Sequence, residues 1–320
     1  MFIEQGIKRD HNFGKYLLGS LLIFIASQIG SFPLLIGVII KSFKDGLKIP
    51  SSNDEVIKFF EPNLSLFLLL LMFVFAIVGI YFVVKYLHKQ TFKTIITSRK
   101  NIDWSRVFFS FALWSVITIG TTLITYYYGD GELQWNFNPG KFAILAVIAI
   151  ALIPIQTSTE ELVFRGYLMQ GFGGLGLNKL FPLVMTSVIF GGMHITNPEV
   201  AKLGYIVMIY YIGTGFFLGI LTLMDEGMEL ALGFHAANNL LGALLVTSDW
   251  SVFQTYAIFK DVSTPTAGFE TVFMPVFVLF PILLFIFSKK YNWTNWKEKL
   301  TGKIEPENNF NAPQDEYSKL

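Results

Sequence analysis

Six polar residues stand inside otherwise apolar stretches, and their types set the chemistry this sequence can support. They lie in Thr157-Ser158-Thr159-Glu160-Glu161-Leu162-Val163-Phe164-Arg165, in Phe190-Gly191-Gly192-Met193-His194 and in His235-Ala236-Ala237-Asn238-Asn239. A charge at mid-membrane costs roughly 2.5–3.5 kcal/mol on insertion scales, so an ionisable residue there is a functional candidate. Glu161 and Arg165 are four apart and share a helix face, which suits an internal ion pair. Glu160 points about 100° away around the helix and has no obvious cation on its own helix. His235 and Asn239 are again four apart and face the same way. Taken singly, these His and Asn residues read as ordinary interhelical hydrogen-bond partners, and Gly191 and Gly192 as a packing device. Taken together, an unpaired Glu, two His and an Asn on three helices can activate a water and stabilise an oxyanion. The remaining histidines, His11 and His88, are expected to be solvated in cytoplasmic segments.

The elements that carry these residues follow from composition. Of 320 residues, 53% are hydrophobic and only 15% charged, well below the quarter typical of soluble domains, with a mean hydropathy of +0.53. The net charge of +1 supplies no field for binding nucleic acid. The absence of Cys excludes disulfides, thiolate zinc sites and cysteine nucleophiles. Apolar runs predict about eight membrane spans, near 16–40, 64–84, 107–128, 142–159, 180–196, 203–224, 229–247 and 271–288. The fourth continues as a more polar helix to about 170, and Pro154 predicts a kink or opening in it. The first is too long for a signal-peptide core and lacks a cleavage site, so it reads as a retained anchor. The fold class is therefore all-α, a polytopic transmembrane helical bundle. The basic residues Lys85, Lys89, Lys93, Arg99, Lys100 and Arg106 flank the second and third spans, and Lys289, Lys290, Lys297 and Lys299 follow the last. Positive-inside bias then puts both termini in the cytoplasm and 42–63 outside.

The ordered set Glu160-Glu161-x-x-x-Arg165, Phe190-x-x-x-His194 and His235-x-x-x-Asn239 resembles the CPBP family of intramembrane proteases. That family comprises the type II CAAX prenyl endopeptidases and the bacterial Abi proteins. The resemblance covers a CPBP-like core (140–247), while apolar runs give N-terminal transmembrane helices (1–130) and a loop and final span (248–300), and composition gives a disordered tail (301–320). The resemblance implies an intramembrane endopeptidase in which Glu160 is the general base, His194 is its partner, and His235 and Asn239 donate to the oxyanion. Glu161 and Arg165 would hold and orient the site. No metal is required by this reading; zinc held by Glu160, His194 and His235 remains open. The sequence has no His-Glu-x-x-His zinc helix, no Gly-x-Ser-Gly nucleophile and no Asp within a span, so other intramembrane proteases fit less well. An ion transporter would also place charge in the membrane, but not normally in this motif order.

The implied partners are the lipid bilayer and a peptide or membrane-protein substrate, with no nucleic acid. A composition rich in Phe, Ile and Lys and free of Cys suggests a bacterial cell membrane. The rival reading is a non-catalytic membrane partner or bacteriocin-immunity protein on the same fold. Gly215 and Gly219 are placed to let the sixth span pack closely beside the site. One geometric difficulty stands out: straight spans put His194 and His235 near opposite ends of their helices. They meet only if the short fifth span, or the turn after it, dips into the bundle.

Overall fold

Long runs without charge become helices in this chain because a helix satisfies its own backbone hydrogen bonds where water is absent. The computed structural model describes residues 1–7 and 12–304. The apolar helices are α1 (Phe13–Asp45), α2 (Pro62–Leu87), α3 (Trp104–Tyr128), α4 (Pro139–Gly176), α5 (Leu180–Gly192), α6 (Tyr205–Asp225), α7 (Glu229–Leu245) and α8 (Phe269–Lys290). All except α5 and α7 are long and apolar enough to cross a membrane. Several starts are capped by side chains that take up free N–H groups: Asn12, Glu61, Asp103 and Asn138 each accept from the first turn that follows.

The helices of the described residues run between two ends of the bundle. At one end Arg99 bridges to Asp225 and Glu229, Lys299 reaches Glu226, and Gln5 donates to Thr94 and Thr97. This end gathers the basic connections, and Arg99 fixes the first residue of α7. At the other end Asn53 donates to the Thr196 carbonyl, Gln254 to Asp54, and the Val252 amide to Glu199. A small sheet also closes that end. Its strands β1 (Leu133–Trp135), β2 (Val246–Thr247) and β3 (Phe259–Asp261) lie in the order β1-β3-β2, with β1 antiparallel and β2 parallel to β3.

Phe24, Val116, Ile124, Val147 and Phe277 are more than half exposed along the outer faces. Apolar surface so placed on helices of this length is lipid-facing, and the protein is an integral membrane helical bundle. The core lies between α3, α6, α7 and α8, where Trp114, Phe217, Phe234 and Phe280 pack ring on ring.

The structure departs from the sequence expectation in three places. Pro154 lies within a continuous α-helical stretch, Pro139–Glu161, and the departure from α geometry comes later, as a π-helical segment over Leu162–Leu168. That segment begins one residue past Glu161, and such bulges often accompany functional sites. His88 is buried rather than solvated: its Nε2 is 2.8 Å from the Tyr167 hydroxyl and its ring packs on Tyr16. Flanking lysines suggested solvent, but two tyrosines from distant segments enclose it. The start of the expected disordered tail is anchored, since helix Trp296–Thr301 is followed by a bridge from Lys303 to Asn178, and Ile304 is buried. The rest of that tail, and His11, lie outside the described residues.

Candidate active site

α4, α5, α6 and α7 meet around the buried pair Glu161–Arg165. Arg165 Nη1 donates to Glu161 Oε1 at 3.0 Å, Nη2 donates to the Gly215 carbonyl at 3.2 Å, and the guanidinium lies 4.3 Å over the Phe190 ring. One cation thus ties α4 to α5 and α6. Both side chains of the pair are fully buried. The spacing of four residues predicted their contact.

α5 and α6 approach closely because α6 has no side chain where they cross. A Cβ on Gly215 would lie 2.7 Å from the Ser187 carbonyl oxygen and 2.9 Å from its Cα. With 13 residues, α5 rises about 20 Å, short of the roughly 30 Å hydrocarbon core. The chain then turns at 193–197 and forms the short helix Pro198–Leu203. His194, half-buried in that turn, meets His235 across the Phe190 ring, whose centroid lies 4.9 Å from one imidazole and 6.0 Å from the other. The two imidazoles therefore share one neighbourhood despite the depth mismatch expected from straight spans. His194 Nδ1–H donates to the Phe190 carbonyl at 2.8 Å, and its ring stacks on Tyr211 with centroids 4.3 Å apart. Nε2 is the nitrogen left for a substrate or water. His194 makes no direct hydrogen bond to Glu160 among the described residues.

His235 lies between the two glutamates. Nδ1–H donates to Glu161 Oε1 at 2.7 Å, and Nε2 is 3.5 Å from Glu160 Oε2. Glu161 therefore orients an imidazole as well as pairing with Arg165, which spacing within one helix did not reveal. Glu160 Oε1 accepts from Gln156 Nε2 at 2.7 Å. Its Oε2 is buried and accepts no hydrogen bond from the described residues. Asn239 Nδ2 donates to Gln156 Oε1 at 3.1 Å, so Gln156 bridges Asn239 and Glu160. Sequence reading missed Gln156; its place four residues before Glu160 was the available signal.

Zinc was left open by the sequence. Among the described residues no three His, Cys, Asp or Glu side chains converge as a ligand set. His235 and His194 each donate Nδ1–H, to Glu161 and to the Phe190 carbonyl, which leaves each Nε2 as the nitrogen that would face a metal or a water.

Carboxylates, imidazoles and an amide grouped inside a membrane bundle are groups able to move protons and donate to a developing oxyanion. Residues 139–241 match the family described as type II CAAX prenyl endopeptidase Rce1-like. The uncharacterized protein YyaK of Bacillus subtilis (strain 168) is 33% identical over 241 residues, covering 75% of this chain and 76% of that protein. The chain belongs to this family of CAAX-type intramembrane proteases, as the motif order had suggested. No solved structure matches it.

Proposed function

We propose that the protein is an intramembrane endopeptidase that hydrolyses a peptide bond near the membrane surface. The observation that carries this reading is Glu160: Oε1 is held by Gln156, while Oε2 is buried, accepts no hydrogen bond from the described residues and lies 3.5 Å from His235 Nε2. A carboxylate oxygen so placed suits a general base.

Glu160 Oε2 takes a proton from water, which His194 Nε2 helps to hold. The water oxygen bonds to the carbonyl carbon of the scissile peptide, and the carbonyl electron pair moves to oxygen. His235 Nε2 and the second N–H of the Asn239 amide donate to that oxyanion. Such a donor is worth about 2.7–4 kcal/mol in the transition state. Donation from Nε2 requires the doubly protonated ring, whose charge is balanced by carboxylates facing both nitrogens. Collapse of the tetrahedral intermediate breaks the carbon–nitrogen bond, and Glu160 passes its proton to the departing amine.

The substrate in this reading is a peptide or membrane protein in a bacterial cell membrane. The basic end of the bundle, with both termini, faces the cytoplasm by the positive-inside rule. Comparative proteomics of membrane-released peptides in wild-type and Glu160→Gln strains tests the reading. Peptides that disappear in the variant support it and supply a scissile sequence. An identical peptide set overturns it, and rescue of a deletion phenotype by both Glu160→Ala and His235→Ala would establish the non-catalytic alternative.

A further inference from the structure

Behind the site, four hydrogen bonds run in line with a single sense. Trp114 Nε1 donates to Asn238 Oδ1 at 3.1 Å, and Asn238 Nδ2 donates to Asn239 Oδ1 at 3.1 Å. Asn239 Nδ2 donates to Gln156 Oε1 at 3.1 Å, and Gln156 Nε2 to Glu160 Oε1 at 2.7 Å. The line crosses from α3 through α7 to α4.

Its two ends are chemically unambiguous. An indole N–H can only donate, and an ionised carboxylate can only accept. Between them stand three side-chain amides, each with an oxygen on one side and an NH2 on the other. Turning any one of them over would set oxygen against oxygen at one junction and N–H against N–H at the next. The indole and the carboxylate therefore determine the orientation of all three amides.

We propose that this line is a polarity-setting relay, and that Trp114, Asn238 and Gln156 are positioning residues for hydrolysis. It turns the Asn239 amide so that its oxygen is occupied by Asn238 and its NH2 faces the site. One Asn239 hydrogen bonds to Gln156 and the other is left for an oxyanion. At the far end the relay caps Glu160 Oε1 and leaves Oε2 as the base. The inference rests on the oxyanion and base roles proposed above for Asn239 and Glu160. Interhelical glue is the plainer account of such bonds, and it predicts effects on stability without a direction-dependent effect on turnover.

The test uses the full chain in lipid nanodiscs and a quenched-fluorescence peptide carrying a scissile sequence from the released-peptide comparison. Trp114→Phe keeps a ring against Phe234, whose centroid lies 4.6 Å away, and removes only the N–H. It is expected to lower kcat about three- to tenfold, the worth of one neutral hydrogen bond, with KM within about twofold. Asn238→Asp, assayed at a pH that ionises the new carboxyl, cannot donate to Asn239 and so inverts the line, with an expected loss in kcat of about a hundredfold, as for a removed oxyanion donor. In an Asn239→Ala background, Trp114→Phe should cost nothing more, because the line is already cut. The Trp114 indole N–H resonance, assigned by its loss in Trp114→Phe, should move upfield in Asn238→Ala.

Full turnover in Trp114→Phe beside an impaired Asn239→Ala overturns this inference alone, as does an unmoved indole resonance. Full turnover in Asn239→Ala overturns the oxyanion reading and the inference with it.

Discussion

Glu161 Oε1 accepts two charged-type hydrogen bonds at once, from Arg165 Nη1 at 3.0 Å on its own helix and from His235 Nδ1 at 2.7 Å on another. A single oxygen thus joins the structural ion pair to the imidazole of the site. The arrangement resembles the carboxylate behind the histidine of a serine protease, where it holds the ring's tautomer and orientation.

Glu161→Gln preserves shape and an acceptor oxygen but removes the charge. In a serine protease the equivalent change costs about 10⁴ in kcat. Here the expected loss is at least about a hundredfold in kcat on the reporter peptide, with the variant still recovered from membranes. Near-normal turnover in Glu161→Gln would show that the carboxylate is structural only.

Arg165→Met leaves the buried Glu161 without its cation and the Gly215 carbonyl without its donor. Breaking a buried pair from one side costs about 3–5 kcal/mol, so a marked fall in Tm in detergent is expected. A double variant, Arg165→Met with Glu161→Gln, removes the stranded charge and keeps an acceptor for His235 Nδ1–H, so it should recover much of that loss while remaining inactive. Scanning calorimetry of the three proteins checks both statements.

Gly215→Val places branched carbons where Ser187 backbone atoms already stand. Overpacking of this kind costs about 1–3 kcal/mol, and the separation of α5 from α6 would shift His194 against its Tyr211 stack. The expected result is a lower Tm and a loss of turnover together. Gly120, which has open space around its Cβ position, is the matched control: Gly120→Ala should change neither.

Glu199, in helix Pro198–Leu203 outside the spans, offers a test by pH. Burial pushes its carboxyl above the ordinary value of 4.5, while the Val252 amide donates to one oxygen at 2.7 Å. A carboxyl raised on folding contributes stability that is full below its unfolded value and is lost as pH rises through its folded one. Glu199→Gln keeps the acceptor and stays neutral, so Tm should rise relative to wild type at pH 8 and match it toward pH 4. An equal offset at both pH values would contradict the assignment.

Hydropathy was enough to place the spans, since a charge-free run has few alternatives in lipid. It overstated two of them: residues 180–196 and 229–247 contain helices of only 13 and 17 residues. Within one helix, spacing identified the Glu161–Arg165 pair. What faces a helix from outside was not legible in the same way. The distance in sequence from Glu161 to His235, or from Trp114 to Asn238, is set by packing that no local pattern records. His88 was misread for the same reason, because Lys85 and Lys89 beside it suggested solvent while Tyr16 and Tyr167 close over it. Gln156 was the one omission that a local rule would have caught.

The truncated fifth helix has a consequence for the host membrane. Where α5 faces lipid its 13 residues span about 20 Å, so an ordinary bilayer of roughly 30 Å is mismatched along it. The supply of the reactant that hydrolysis consumes would then depend on acyl-chain length. Reconstitution into thin bilayers should keep that approach wet, and long-chain, sterol-like thickness should starve it.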